Sequence, residues 1–266
     1  MVATIFFVFL VLIGYLAGSI CSAIIISRLF NLPDPQVEGS ANPGATNVLR
    51  LAGKKYAAFV LVADMLKGLL PVLLAQAFDA NAFTLSSVCL AAVLGHMYPI
   101  FFGYKGGKGV ATALGAILGL HFMLGIVALA IWLMVANFTR YASLASIVTV
   151  LFVPFLAIIS FKGADAFLPL LIMAGFIIHK HRANINRLIE KEEPKIKFRR
   201  RQLSDITESM LNSETTPPAK ASPTNHTSNP DVPDQTVIPE PVIPIHEEPA
   251  VKTPDAHEPS ESAKKP

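Results

Sequence analysis

The chain has 266 residues, of which 52% are hydrophobic and only 15% are charged, and its formal net charge is +3. A soluble domain of this length needs more charge to cover its surface, so the composition argues against a soluble globular protein. Apolar runs fill most of residues 3–178, while charged residues gather in short loops and in the C-terminal tail. This distribution predicts an all-α integral membrane protein that crosses the bilayer several times.

The apolar segments number seven, and we expect about seven transmembrane helices. Several are shorter than the roughly 20 residues that cross a bilayer untilted, which favours a compact bundle with polar loops dipping into it. The region 109–138 fits one long helix or a tight pair, and His121 near the expected turn favours the pair. The segments lie at residues 4–29, 55–78, 82–102, 109–120, 122–138, 142–161 and 165–180.

The orientation follows from the basic residues in the loops. With seven spans, the loops after spans 1, 3 and 5 share one side with the C-terminal tail. The opposite side offers only Lys162, and no basic residue precedes Arg28, which indicates a retained first span rather than a secretory signal. We therefore predict an outside N-terminus and a cytoplasmic C-terminus, with these residues on the cytoplasmic side: Arg28, Arg50, Lys54, Lys55, Lys105, Lys108 and Arg140.

The tail, residues 204–266, differs from the rest of the chain. It holds 12 of the 20 prolines and 11 acidic residues. Such a segment cannot bury enough apolar surface to offset chain ordering, so we predict a membrane domain at 1–203 and a disordered cytoplasmic tail at 204–266. A basic cluster precedes the tail and either contacts anionic lipid head groups or only reflects positive-inside bias, which we favour: Lys195, Lys197, Arg199, Arg200 and Arg201.

The first predicted cytoplasmic loop, residues 38–50, combines small residues with polar side chains. Its glycines let backbone N–H groups converge on an anion. The loop approaches the nucleotide-binding P-loop pattern, but Ala45 replaces the phosphate-binding lysine and no strand precedes it, which excludes nucleotide binding. A plain glycine-rich turn would explain the glycines but not the polar groups. We favour an anion site formed by Gly39, Ser40, Asn42, Gly44, Thr46, Asn47 and Arg50.

The third span leads into Lys105-Gly106-Gly107-Lys108-Gly109. Glycines on both sides of Lys108 allow close backbone approach to a phosphate, and the two lysines supply positive charge. The alternative is a positive-inside loop with a flexible hinge, which three glycines in five residues make less favoured. His96, at the membrane-embedded end of this span, is more often a hydrogen-bonded packing residue than a catalyst.

The seventh span ends in basic and amide residues. On a helix, His181 and Asn184 share a face, and Arg187 lies one step further along it. Alone, this pattern would indicate a basic helix end favoured by the macrodipole. Together with the two other loops on one side of the membrane, it favours an anion site. Asp64 and Lys67 form an intramembrane pair that is either functional or a brace for the bundle.

Other kinds of site are not indicated. The histidines lack carboxylate or cysteine companions at metal-ligand spacing, and no Gly-x-Ser-x-Gly elbow is present. Cys21 and Cys89 both lie inside apolar runs. We therefore expect no metal, no cofactor and no covalent nucleophile.

These motifs resemble those of the PlsY family of bacterial acyl-phosphate:glycerol-3-phosphate acyltransferases. The resemblance covers about residues 8–196. It includes Asp64-x-x-Lys67-Gly68 in the second span and Thr139-Arg140-Tyr141-Ala142-Ser143. Its remaining runs are Gly18-Ser19-Ile20-Cys21-Ser22-Ala23, Asn42-Pro43-Gly44-Ala45-Thr46-Asn47 and Lys105-Gly106-Gly107-Lys108-Gly109-Val110-Ala111-Thr112, together with the third motif.

The resemblance implies seven helices, a cytoplasmic active site in the bacterial inner membrane, acyl phosphate as donor, glycerol 3-phosphate as acceptor and lysophosphatidic acid as product. The expected partners are these substrates, membrane lipid and the enzyme that makes acyl phosphate from acyl carrier protein, but no nucleic acid. Arg50, Lys105 and Lys108 suit the phosphates, together with the backbone of residues 39–44 and Gly107. Ser143, His181 and Asn184 suit the glycerol hydroxyls. The proton acceptor is either His181 or the donor phosphate, which the family favours.

The chain departs from the family at two glycine positions. The first motif usually reads Ser-Gly-Asn where this chain has Ala41, and Lys191 replaces a glycine two residues before Glu193. If the first position needs a positive φ, Ala41 is strained. A transporter of organic phosphates is the alternative function, but it would normally show inverted repeats and a site near the midplane. A scaffold that docks partners through its tail would leave the motif loops without a role.

Overall fold

The computed structural model describes residues 1–196, and this part of the chain folds into ten α-helices with no strand. The predicted disordered tail and the basic residues Lys197, Arg199, Arg200 and Arg201 lie outside the described residues. The helices are α1 Val2–Gly18, α2 Ser22–Leu29, α3 Ala45–Ala52, α4 Lys54–Ala77, α5 Ala82–Met97, α6 Val110–Leu120, α7 Phe122–Thr139, α8 Ala142–Phe161, α9 Phe167–Lys180 and α10 Arg182–Ile189.

The predicted all-α membrane architecture is confirmed. Within the described residues, the segments long and apolar enough to cross a membrane are Val2–Leu29, Lys54–Ala77, Ala82–Phe102, Phe122–Thr139 and Ala142–Phe161. The other two predicted segments form α6 and α9, which have 11 and 14 residues. Because these helices fall short of a full bilayer crossing, the total of seven spans stays a prediction.

Two interruptions in the helices bear on the predicted spans. The predicted pair within 109–138 is confirmed, because α6 ends at Leu120 and α7 begins at Phe122. His121 lies between them, and its Nδ1 accepts a 3.3 Å hydrogen bond from the N–H of Leu124. The first span, expected as one segment, is instead broken at residues 19–21, between α1 and α2.

The bundle is held by close backbone contacts. A Cβ added to Gly68 of α4 would overlap the carbonyl oxygen of Thr112 in α6, and one on Gly115 would overlap that of Met65. A Cβ on Gly95 of α5 would likewise overlap the Tyr15 carbonyl in α1. Small residues at helix crossings are the usual means of tight packing in membranes, where water does not drive helices together. These crossings fix where the loops between the helices emerge.

Candidate active site

The loop before α3 is organised by the side chain of Asn47. Its Oδ1 accepts a 2.9 Å hydrogen bond from the N–H of Ser40, and its Nδ2 donates to the carbonyls of Pro35 and Glu38 at 3.1 and 2.9 Å. Asn47 is 1% exposed. Gly39 has φ +66°, and an added Cβ would overlap the Asn47 Oδ1. Predicted as a substrate ligand, Asn47 instead uses both of its N–H groups to shape the loop.

The polar groups that this loop leaves accessible lie on α3 and just before it. Gly44, with extended backbone, is the N-cap residue of α3, and the partly buried Asn42 lies beside it. Ser40 is exposed. Thr46 and Arg50 are also exposed, and their i, i+4 spacing places them on one face of α3. These side chains, rather than Asn47, are available to a ligand.

The glycines of the second motif loop pack against α5. The N–H of Gly106 donates to the Met97 carbonyl and that of Gly107 to the His96 carbonyl, both at 3.2 Å. A Cβ on Gly106 would overlap the His96 carbonyl, and one on Gly107 would overlap the His96 Nε2. The glycines were expected to permit close approach of a phosphate. The structure gives a different reason for them, because the close approach is to the end of α5.

Lys108 joins this loop to α10 and to the segment that follows it. Its Nζ donates a 2.5 Å hydrogen bond to the Asn184 Oδ1. The Asn184 Nδ2 donates at 2.6 Å to the Glu193 Oε1, and the Arg187 Nε donates at 2.8 Å to the Glu193 Oε2. A continuous chain of hydrogen bonds therefore connects two cations through one amide and one buried carboxylate.

Glu193 was not among the predicted site residues. Burial by itself would raise the pKa of this carboxyl, but contacts with Ser143, Asn184 and Arg187 outweigh it and leave the pKa below its ordinary value. Three carboxylates occupy residues 190–193, and of these only Glu193 is buried. Residue type alone does not distinguish it from Glu190 and Glu192; the signal that could have found it is the family pattern, in which a glutamate follows the position of Lys191 by two residues.

Ser143 lies in the first turn of α8 and is 5% exposed. Its hydroxyl is near enough to Glu193 to help lower the pKa of that carboxyl, yet its Oγ has no partner at hydrogen-bonding geometry within residues 1–196. A buried hydroxyl without a partner carries a desolvation cost that a ligand can relieve. The predicted role of Ser143 in holding a substrate hydroxyl therefore has a free polar group to act through.

His181 lies at the break between α9 and α10 and is 3% exposed. Its Nδ1 is 2.8 Å from the carbonyl oxygen of Ile177. Because a carbonyl only accepts hydrogen bonds, Nδ1 carries the proton in the neutral ring and Nε2 is an acceptor. Burial lowers the pKa of His181, and Lys108 lowers it further, against opposing effects of Ile177 and Glu193. The ring is therefore neutral at pH 7.

The electrostatics of Lys108 connect the three motifs. Burial lowers the pKa of Lys108 below its ordinary value; Glu193 opposes this, and Arg187 and Arg50 add to it. Arg50 is thus close enough to act on the same charge. The structure brings together Lys108, Ser143, His181 and Asn184, with Arg50 at the edge. Lys105 is exposed, and its carbonyl accepts a 2.8 Å hydrogen bond from the Gln36 Nε2.

The side chains that the structure brings together here are cations, amides, a hydroxyl and a histidine. In the described range 1–196, no group of three or more His, Cys, Asp or Glu side chains is placed to hold a metal ion. Fixed cations, a neutral histidine and hydroxyl or amide groups can bind phosphates and orient a hydroxyl.

Comparison with known proteins gives one consistent family. The family model described as glycerol-3-phosphate acyltransferase matches residues 8–191. A glycerol-3-phosphate acyltransferase of Legionella pneumophila (strain Lens) is 54% identical over 203 residues, covering 76% of this chain and 73% of the relative. One from Francisella tularensis subsp. tularensis (strain FSC 198) is 46% identical over 187 residues, covering 70% and 91%.

Two solved structures share the fold. The crystal structure of PlsY (YgiH), an integral membrane glycerol 3-phosphate acyltransferase, in its glycerol 3-phosphate form is 40% identical with a TM-score of 0.68. The match covers 72% of this chain and 96% of the PlsY chain. The lysophosphatidic acid form is 39% identical with a TM-score of 0.66 and covers 72% and 95%. The chain therefore belongs to the glycerol-3-phosphate acyltransferase family, as the motif loops predicted.

Proposed function

We propose that this chain transfers an acyl group from acyl phosphate to glycerol 3-phosphate, giving 1-acyl-glycerol 3-phosphate and phosphate in phospholipid biosynthesis. The observation that carries the proposal is the chain of hydrogen bonds from Lys108 through Asn184 to Glu193, beside Arg50, Ser143 and His181. Membership in the acyltransferase family and the glycerol 3-phosphate and lysophosphatidic acid forms of its structural relatives support it.

The reaction needs little covalent help from the protein. Acyl phosphate is already activated, so a glycerol hydroxyl oxygen attacks the carbonyl carbon, the carbon–oxygen bond to phosphate breaks, and phosphate leaves. The hydroxyl proton passes to the departing phosphate in the route that we favour, or to the Nε2 of His181. The protein must hold two anions together and orient one hydroxyl, which by itself can supply a large part of the rate enhancement.

The roles of the residues follow from what each leaves free. Lys108, Arg50 and the exposed Lys105 attract the phosphates, and Ser143, Asn184 and His181 hold the glycerol hydroxyls. The loop backbone at Gly39–Gly44, the N-terminal turn of α3 with Thr46, and the side chains of Ser40 and Asn42 line the approach. Asn47 and Gly107 act through the shape of the loops rather than by touching substrate.

The proposed location is the bacterial inner membrane, with the N-terminus outside and the active site and C-terminus in the cytoplasm. Loop charges that divide seven to one between the two sides support this orientation. A reporter fused after residue 203 should be active only in the cytoplasm. Activity in the periplasm would contradict the predicted orientation or the odd number of spans. A cytoplasmic site also faces the enzyme that makes acyl phosphate from acyl carrier protein.

The decisive experiment uses the purified protein in lipid or detergent with acyl phosphate and labelled glycerol 3-phosphate. Formation of a labelled lipid with release of one phosphate per product is the expected result. Parallel reactions with acyl carrier protein thioester or acyl coenzyme A as donor test the choice of donor. Absence of lipid, with movement of labelled glycerol 3-phosphate into proteoliposomes, would overturn the enzyme in favour of a transporter.

A further inference from the structure

Three charged or titratable groups that the proposed reaction does not use are buried among the membrane helices. Asp64 and Lys67 lie one turn apart on α4 and are 2% and 7% exposed. The Lys67 Nζ is 2.8 Å from the Asp64 Oδ1 and donates a 2.8 Å hydrogen bond to the Ile20 carbonyl. Ile20 lies in the break between α1 and α2, where carbonyls lose their helical partners. The ion pair therefore stabilises the broken first span.

His96 faces this ion pair with one side of its ring. Its Nδ1 is 3.6 Å from the Asp64 Oδ1, just beyond hydrogen-bonding distance, and His96 is 6% exposed. The other side of the ring faces the second motif loop, where a Cβ on Gly107 would overlap the His96 Nε2. The His96 carbonyl accepts the 3.2 Å hydrogen bond from the N–H of Gly107. His96 thus contacts the residue before Lys108 through both its ring and its backbone.

The first motif loop reaches the same point. A Cβ on Gly107 would lie 3.1 Å from the Pro43 carbonyl oxygen. The Gln36 side chain also spans the two loops through its 2.8 Å hydrogen bond to the Lys105 carbonyl. Both motif loops therefore meet next to His96. The helix that leads into the first loop, α2, begins at the break held by Lys67.

We propose that His96 is a positioning residue for Lys108, holding the Gly106–Gly107 turn against the Asp64–Lys67 pair. A brace for the bundle would explain the ion pair alone, but not a third titratable group placed between that pair and the turn. Polar groups buried among membrane helices are costly and are functional candidates by default. Displacement of a substrate-binding group by about 1 Å can reduce the rate by about 10²-fold. The effect on catalysis rests on the proposed acyltransferase function.

Two substitutions each retain a polar group on one side of the His96 ring and remove the other side. His96→Asn keeps a polar group near the Nδ1 position that faces Asp64, and His96→Gln places one near the Nε2 position that faces Gly107. We expect each to lower kcat/KM for glycerol 3-phosphate by about 10- to 100-fold, with the melting temperature of the protein retained. The matched control is His121→Asn, because His121 also lies at a helix boundary but caps α7. This control should retain its kcat/KM.

Hydrogen exchange supplies a readout that does not depend on the reaction. The amide protons of Gly106 and Gly107 should exchange faster in both His96 variants, while exchange elsewhere in α5 is unchanged. Wild-type kcat/KM together with wild-type exchange would overturn the proposal. If the wild-type protein makes no lipid product, the proposed function fails, but the exchange result still decides whether His96 holds the turn.

A variant on the loop side covers the case in which His96 variants do not fold. Gly107→Ala places a methyl group against the His96 Nε2 and the Pro43 carbonyl. We expect a similar fall in kcat/KM and faster exchange of the Gly106 amide. Unchanged kcat/KM in a folded Gly107→Ala protein would show that this contact does not position Lys108. Gly175→Ala is the control, since no atom lies within 4 Å of a Cβ added there.

Discussion

The Lys108 Nζ donates a 2.5 Å hydrogen bond to the Asn184 Oδ1, joining residues 76 apart in the sequence. The opposite end of the same amide donates at 2.6 Å to the Glu193 Oε1. A cation on one side and a carboxylate on the other fix which way the amide of Asn184 points. The ammonium of Lys108 is therefore held in place by a neutral partner and keeps hydrogen-bonding capacity for a phosphate.

Loss of this ammonium should affect the reaction strongly. We expect Lys108→Ala to reduce kcat/KM by about 10²- to 10³-fold, because a charge-assisted hydrogen bond to phosphate is lost in a partly desolvated site. Steady-state kinetics on protein that inserts and folds normally is the measurement. Lys55→Ala, which removes an exposed lysine at the start of α4, is the matched control and should be nearly neutral. Near-normal activity of Lys108→Ala would show that the loop serves only as a hinge and does not bind phosphate.

Glu193 should matter for both stability and activity. Glu193→Ala removes the acceptor of two hydrogen bonds, and hydrogen bonds to charged groups contribute about 1.5–3 kcal/mol each. We expect a loss of about 3 kcal/mol in the free energy of unfolding, the low end of the sum because the Arg187 side chain is partly exposed, and a fall in kcat/KM as Asn184 is released. Glu192→Ala, at an exposed neighbour, should change stability by less than about 0.5 kcal/mol.

Ionised Glu193 should make the protein more stable at neutral pH than at acid pH. Its pKa in the folded protein is below the ordinary value. The ionised form is therefore favoured by folding, and its contribution is present above the unfolded-state pKa and lost as the pH falls through the folded-state pKa. Thermal melts of the wild type between about pH 3 and pH 6 should show this acid loss, and Glu193→Gln should show less of it. Identical pH dependence in the two proteins would contradict the assignment.

The two glycine positions at which the chain departs from its family both have positive φ. Ala41 has φ +51° and Lys191 has φ +62°, so the strain expected at Ala41 is present. A left-handed conformation costs a non-glycine residue about 1–2 kcal/mol. Glycine avoids this cost, but part of the gain is offset because glycine also has more conformational freedom to lose from the unfolded chain. Ala41→Gly and Lys191→Gly should each stabilise the protein by roughly 0.5–1 kcal/mol. Ala58→Gly inside α4 should instead destabilise it by about 1 kcal/mol.

Sequence patterns predicted the apolar helices and located the three motifs, because long apolar runs and glycine-rich loops are local signals. The short helix α3 was missed, since it begins within the segment that was expected to be a loop, residues 38–50. The break at residues 19–21 was missed, since its stabilising partner Lys67 is distant in the sequence and apolar residues continue on both sides. The burial of Glu193 and the inward turn of Asn47 also depend on tertiary contacts. Their neighbours Glu192 and Thr46 have similar chemistry but opposite exposure, which no local pattern distinguishes.

His181 should bind substrate rather than accept the proton. Its pKa is lowered mainly by burial, so the neutral ring is present at pH 7 and its Nε2 is ready to accept a hydrogen bond from a glycerol hydroxyl. We expect His181→Gln to raise KM for glycerol 3-phosphate by about 3- to 10-fold, the value of one hydrogen bond, with little change in the pH profile of kcat. If His181 were the base, the acidic limb of the pH–rate curve would vanish while KM moved less.

The last prediction is that no side chain becomes acylated during turnover. Cys21 and Cys89 are both buried, and neither lies in a motif loop. Ser143 lies near Glu193, but its Oγ has no partner at hydrogen-bonding geometry within residues 1–196, so no base is aligned to activate it as a nucleophile. Direct transfer requires both substrates to be bound at once, so double-reciprocal plots should intersect. Intact mass spectrometry of the enzyme mixed with acyl phosphate alone should show no added acyl group. Parallel plots together with an acyl adduct that glycerol 3-phosphate discharges would contradict direct transfer.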